Sequence, residues 1–210
     1  MDVIDWLNGT AVTAFGVGTT WAEVLGFATG LVTVWLLVRQ HILNWPLGIL
    51  NVLLLMLVFW TAGLYADASL QIVYVLLGGY GWWAWLYGGE RRSHLVVRKT
   101  SSTEWLWLAV AGIVLTAGLW AFLAKLTGST VPLADALTTA LSLLATYGQT
   151  RKLMENWWLW IAADLIYIPL YGYKDLWLTA ILYVAFMALC VLGLRAWYRA
   201  LRTQRAAVLA

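Results

Sequence analysis

Arg39–Trp45 reads RQHILNW and Arg151–Trp157 reads RKLMENW, two matching heptapeptides set 112 positions apart in a chain of 210 residues. A second correspondence sets LYADASL, from Leu64, against GYKDLWL, from Gly172, aligning Tyr65 with Tyr173 and Asp67 with Asp175 at an offset of 108. Repeated units in an apolar chain point to a transporter whose site lies where the repeats meet. Working outward from these motifs, apolar segments fall near residues 21–38, 45–62, 70–88, 104–124, 132–149, 157–173 and 176–197. Each has about the 17 to 25 residues that a membrane-spanning helix needs. The motifs match segments 1, 2 and 3 to segments 5, 6 and 7. Four segments is an even displacement, so the two copies face the same way across the bilayer, with segment 4 as the linker that makes this possible. The expected fold is an all-α integral membrane protein, a seven-helix core of two parallel three-helix repeats joined by a linker helix (3+1+3).

In domain terms, residues 1–20 form an interfacial lead-in and 21–88 the first repeat. Residues 104–124 are the linker, 132–197 the second repeat and 198–210 a basic cytoplasmic tail. The lead-in is too polar and too rich in Gly and Thr to be counted as a span and lacks the basic start of a signal peptide, while an eighth helix there stays open. Composition excludes a soluble domain: 63% of residues are hydrophobic and 11% charged, against roughly 25% charged in soluble proteins.

Basic residues then set the orientation. One side of the seven spans carries Arg39, Arg91, Arg92, Arg98, Lys99, Arg151, Lys152, Arg195, Arg199, Arg202 and Arg205, and the other only Lys125 and Lys174. The amino terminus is therefore expected outside and the carboxyl terminus in the cytoplasm. The basic tail reads as a topology signal beside anionic headgroups, with no nucleic-acid partner. The single cysteine, Cys190, has no disulfide partner, and no metal site is expected from it or from the loop residues His41 and His94.

Charge inside a span is the most informative chemistry, because an ionisable side chain at bilayer depth costs roughly 2.5 to 3.5 kcal/mol. Asp164 is such a residue. Trp157, Trp160, Asp164, Tyr167 and Tyr171 follow at spacings of 3, 7, 10 and 14 from Trp157 and so share one helix face. Indole and phenol rings around a carboxylate suit a small cation. Segment 3 groups Gln71, Tyr74, Trp82 and Trp85, segment 2 places Gly48 with Asn51, and segment 5 offers Thr139, Ser142, Thr146 and Gln149. Each half supplies one hydroxyl-or-amide face and one aromatic face, walls that suit a small, hydroxylated, cationic ligand flat on one side.

Plainer readings compete with this one. Interfacial belts account for Trp6, Trp21, Trp60, Trp105, Trp107, Trp120, Trp177 and Trp197, and are an alternative for Trp45 and Trp157. Asp164 alternatively forms a structural pair or bonds to Thr/Ser hydroxyls between helices. Asp67 and Asp175 fit helix-start caps. Pro46 and Pro169 are places for a bend, and Pro46 is equally an ordinary first-turn proline. Enzyme classes fare badly: the chain has no nucleophile elbow, no HExxH and no GxxxxGK. A retinal protein needs a lysine in its last span, and Lys99, Lys125, Lys152 and Lys174 all fall in loops or at span ends.

Four strings carry a family resemblance: NWPLGILN (44–51), LYADASLQIVY (64–74), YGWWAW (80–85) and RKLMENWWLWIAADLIYIPLY (151–171). Across about residues 20–200 the chain resembles the PnuC-type transporters of nicotinamide riboside, a precursor of vitamin B3 used in NAD biosynthesis. The resemblance implies a full-length SWEET-like fold in the bacterial inner membrane, a homotrimer and no cofactor. It also implies facilitated diffusion by alternating access, with the vitamin trapped by a cytoplasmic kinase that phosphorylates it. The family's second-half motif carries over onto Trp157, Trp160, Asp164 and Tyr167, and its first-half motif onto Asn51, Gln71 and Tyr74. Trp82 and Thr146 complete the expected substrate site, and Gly79 stands where the family pattern has Asn. Thiamine and riboflavin are the rival cargoes, and a non-transporting receptor or scaffold is the rival class.

Overall fold

The structure, a computed structural model, describes residues 6–7, 9–14, 17–61, 65–126, 130–173 and 177–209. Among these, seven long helices dominate: α1 (Trp21–Val38), α2 (Asn44–Thr61), α3 (Tyr65–Tyr87), α4 (Ser102–Leu126), α5 (Pro132–Thr150), α6 (Asn156–Tyr173) and α7 (Trp177–Leu209). Helix α7 continues past residue 197, where the apolar stretch ends. Residues in the lead-in pair as an antiparallel hairpin, β1 (Thr10–Ala14) with β2 (Val17–Thr20). Local chemistry explains the starts. Thr20 and Glu23 form a reciprocal capping box, with Thr20 N donating to Glu23 Oε2 at 2.7 Å and Glu23 N to Thr20 Oγ1 at 3.2 Å. Pro132 opens α5 and Pro46 lies in the first turn of α2, where a missing N–H costs nothing. Only Pro169, of the two proposed bend points, is inside a helix.

Helix α1 packs on α2 and α2 on α3; α5 packs on α6 and α6 on α7; α1 meets α7, α3 meets α5, and α4 lies against α5. The offset of 112 recurs throughout. Helices α2 and α6 begin at Asn44 and Asn156, and within α3 and α7 Gly81 meets Trp45 as Gly193 meets Trp157, and Trp85 stands where Trp197 does. In these helices the structural offset is thus 112, where the second motif gave 108. Residues 174–176, Asp175 among them, lie outside the described residues.

Loops repeat as closely as helices. The carboxyl ends of α1 and α5 are capped by Arg39 and Arg151, whose N–H groups reach the carbonyls of Leu37 and Trp35 in one and of Gln149 and Tyr147 in the other. The next residues, Gln40 and Lys152, hold the left-handed conformation with φ of 54° and 48°. Asn44 and Asn156 then tie each turn to its helix, their amides donating to His41 O at 2.7 Å and Leu153 O at 2.5 Å. The loop after α3 docks here too: Arg98 N donates to Lys152 O at 3.1 Å, Met154 N to Arg98 O at 2.9 Å, and Thr100 N to Glu155 Oε2 at 2.9 Å. These basic loops therefore gather at one end of the bundle.

The core sits just inside that basic end. Trp45 and Trp85 meet edge to face at 5.4 Å and 88°, and Trp157 and Trp197 at 5.5 Å and 88°, with Trp85 and Trp197 6.1 Å apart. Trp197, read from sequence as an interfacial belt residue, is fully buried, and Trp45 and Trp157 are buried with it. Lipid is as apolar as a leucine core, so close packing rather than the hydrophobic effect must hold such rings inside. Gly81 and Gly193 make that packing possible, because a Cβ on either would fall within the ring of Trp45 or Trp157.

Candidate functional site

Four helices, α1, α2, α4 and α7, are long and apolar enough to cross a bilayer by length and composition. The polar side chains collect on the other three, which carry them inward. Asp164, on α6, is 3% exposed, and its nearest described donor is the Cys190 thiol of α7, at 3.6 Å from Oδ2. That thiol contact is an interhelical pair of the kind read from sequence as the structural alternative, and it is a weak one. The carboxylate is turned away from the lipid-facing surface, and among the described residues the one ion pair is Arg98–Glu104, at 2.5 Å.

Further along α6 the rings follow, as the helical spacing requires. Tyr167 and Tyr171 stack at 5.6 Å, and Tyr183 from α7 closes on both, at 4.6 and 5.1 Å. Phe186 meets Tyr183 edge to face at 5.7 Å and rests against Gly30 of α1, where a Cβ would come within 3.3 Å of its ring. Helix α5 faces these rings with hydroxyls. Tyr167 faces Thr138 and Ser142, and Tyr74 of α3 faces the same Ser142. Thr138, Ser142, Thr146 and Gln71 are all buried. The buried threonine of this face is Thr138, with Thr139 only half-buried, a shift of one residue from the sequence reading.

Asp164, Tyr167, Tyr74 and the hydroxyls of α5 thus come together, with Trp160 packed against the tryptophan core beside them. Trp157 is drawn into that core. Its indole N–H and that of Trp45 are buried and have no hydrogen-bond partner among the described residues, a matched pair of donors. Asn51 is committed elsewhere, donating to Gly26 O at 2.6 Å and Thr29 Oγ1 at 3.0 Å and so fastening α2 to α1. Trp82 stands apart on the exposed side of α3, 39% exposed. Sequence reasoning missed Tyr183 and Phe186 as neighbours of the site, and it named Trp85 and Trp45 without pairing them, although each keeps a partner 112 positions on.

What this arrangement can do is chemically narrow. A buried carboxylate with one weak thiol donor is under-solvated, and an electron-rich ring wall offers cation–π contact. A cation that supplies hydroxyls to the α5 face answers both needs.

Comparison with known proteins gives the same direction. Residues 20–199 match the sequence profile of a family described as nicotinamide mononucleotide transporter. The chain is 29% identical over 205 residues to the riboflavin/roseoflavin transporter RibM of Streptomyces davaonensis, covering 96% of this chain and 95% of that protein. It is 25% identical over 214 residues to the nicotinamide riboside transporter PnuC of Escherichia coli, covering 90% of each. The crystal structure of the vitamin B3 transporter PnuC superposes with a TM-score of 0.69 at 23% identity, over 87% of this chain and 83% of that one, which establishes the likeness of fold.

Proposed function

The chain belongs to the nicotinamide mononucleotide transporter family, so it is a multi-pass membrane transporter and not an enzyme, and on that premise we propose that it carries nicotinamide riboside into the cell. The observation that carries the choice of cargo is Asp164, a buried carboxylate without a cationic partner among the described residues. Nicotinamide riboside joins a pyridinium cation to a ribose. The ring suits the Tyr167, Tyr171 and Tyr183 cluster, and the sugar suits the hydroxyls of Thr138, Ser142 and Thr146. Trp157, Trp160 and Gln71 border that position, Asn51 acts through the wall where α2 meets α1, and Trp82 lies on the outer side of α3.

The architecture we propose is two parallel three-helix units, α1–α3 and α5–α7, joined by α4 and working by alternating access. It is supported by the equal offset of the Arg39 and Arg151 caps, of Asn44 and Asn156, and of the paired tryptophans. The cluster of basic loops supports an outside amino terminus and a cytoplasmic carboxyl terminus. A cation entering along an inside-negative potential gains about 2.3 kcal/mol per 100 mV, so facilitated diffusion needs no coupling ion. Assembly as a homotrimer and trapping by a cytoplasmic kinase rest on the family resemblance.

Riboflavin is the second reading, favoured by the RibM relative, which spans nearly the whole chain. Parallel uptake of labelled nicotinamide riboside and riboflavin into proteoliposomes tests both. Uptake of the riboside, lost in Asp164→Asn, is the expected result; uptake of riboflavin alone, unchanged by that substitution, overturns the proposal.

A further inference from the structure

The Lys152 ammonium donates to Gln40 Oε1 at 3.3 Å, a contact between residues 112 positions apart. That separation is the repeat offset itself, so the two side chains occupy equivalent places in the two units. Equivalent points related by a two-fold axis can touch only beside the axis. The same ammonium lies 4.2 Å from the centroid of the Trp85 ring. Trp85 in turn donates to Gln149 O at 3.0 Å, while its equivalent, Trp197, donates to Leu37 O at 3.2 Å. Each bond runs from one unit to the other, and the Lys152 contact lies between them. Gln149 and Leu37 are themselves 112 apart, so these flanking bonds are a reciprocal pair.

In a carrier built from two such units the path runs along the axis between them. We propose that Lys152 is a latch at the basic end of the path, holding Gln40 and the Trp85 face while that end is closed and releasing both when the units part. This inference rests on the proposed transport function but not on the identity of the cargo. Two features suit the role. The bond is asymmetric, a charged donor in one unit and a neutral acceptor in the other, so it holds less firmly than a salt bridge. It is also made by flexible side chains on left-handed turns, whereas the flanking indole bonds end on helix backbone.

Cys190 provides a reporter that needs no substrate. It is the sole cysteine of the chain and is buried within the tryptophan core, where its thiol meets Asp164. In vesicles exposing the basic loops, a membrane-impermeant methanethiosulfonate reaches Cys190 only when the latch is open. Lys152→Gln should raise the labelling rate about tenfold, the effect of losing one charge-assisted hydrogen bond. Gln40→Glu, which turns the contact into a salt bridge, should lower it by a similar factor. Both variants should keep the wild-type gel-filtration profile and the wild-type labelling rate from the opposite side, or show that rate moved in the opposite sense. Equal labelling in all three proteins, or a rise in both variants, overturns the latch. A cargo other than nicotinamide riboside would leave these rates untouched, so failure of that reading is seen separately, in uptake.

Discussion

Trp85 and Trp197 make the same bond in opposite directions: the indole N–H of Trp85 reaches the carbonyl of Gln149, and that of Trp197 reaches the carbonyl of Leu37. Both acceptors lie in the last turns of α5 and α1, where each carbonyl also receives a turn N–H, from Lys152 at 3.1 Å and from Gln40 at 2.9 Å. Each unit thus caps the other. Replacing either tryptophan by Phe keeps the ring and leaves each carbonyl its turn N–H, so the loss is that of one hydrogen bond between the units, about 0.5–1.5 kcal/mol. Trp85→Phe and Trp197→Phe should lower the thermal midpoint in detergent by similar amounts, and the pair together should cost close to the sum if the two bonds act independently.

Gly81→Ala and Gly193→Ala should be worse than either. A methyl group at these positions enters the ring of Trp45 or Trp157, and the edge-to-face pairs cannot form without moving a helix. Loss of the monodisperse gel-filtration peak is the expected outcome, with Gly79→Ala, where a Cβ meets nothing within 4 Å, as the silent control.

Asn51 separates a structural role from a binding one. Its amide holds Gly26 O and Thr29 Oγ1, so Asn51→Ala should reduce stability by about 1–2 kcal/mol and shift substrate affinity only in proportion. A large loss of affinity at unchanged thermal midpoint would place the side chain on the ligand instead.

Lys152 gives a pH dependence with a definite sign. Burial lowers its pKa from 10.5 to about 8, so between those values the folded protein has released a proton that the unfolded chain still holds. Stability rises with pH wherever the unfolded state binds more protons. The penalty of the buried ammonium is therefore present in full below pH 8 and is relieved as pH climbs toward 10.5. Thermal midpoints measured across that window should rise in the wild type relative to Lys152→Met, which has no such group to titrate.

Much of this molecule is legible from its sequence because the bilayer imposes a simple rule on composition. The seven apolar stretches fall where the helices stand, and Asp164 announced itself as the one acid deep within a span. The pairing of RQHILNW with RKLMENW holds in structure down to the caps, the left-handed residues and the asparagines. What escaped has physical causes. Trp197 near a helix end looks the same in sequence whether it anchors at an interface or fills a core, and only the glycine opposite its neighbour decides the matter. Thr138 and Thr139 are adjacent, so an error of one residue in helical phase exchanges them. Asn51 is polar in an apolar helix for the sake of α1, a tertiary contact that spacing within α2 cannot reveal. The hairpin before α1 was hidden by a Gly- and Thr-rich composition that marks turns and strands weakly, and α7 extends beyond the apolar stretch because basic residues are good helix formers outside the bilayer.

Charge at Asp164 is the centre of the account, and one comparison isolates it. Nicotinamide riboside is a cation, while its dihydro form has nearly the same shape and no charge. Titrating both onto the purified protein, with tryptophan fluorescence as the readout, should show the cation bound at least about tenfold more tightly, the effect of one buried charge-assisted contact, with the preference abolished in Asp164→Asn. Equal affinity for the two forms in the wild-type protein would contradict the assignment of that carboxylate to the cargo.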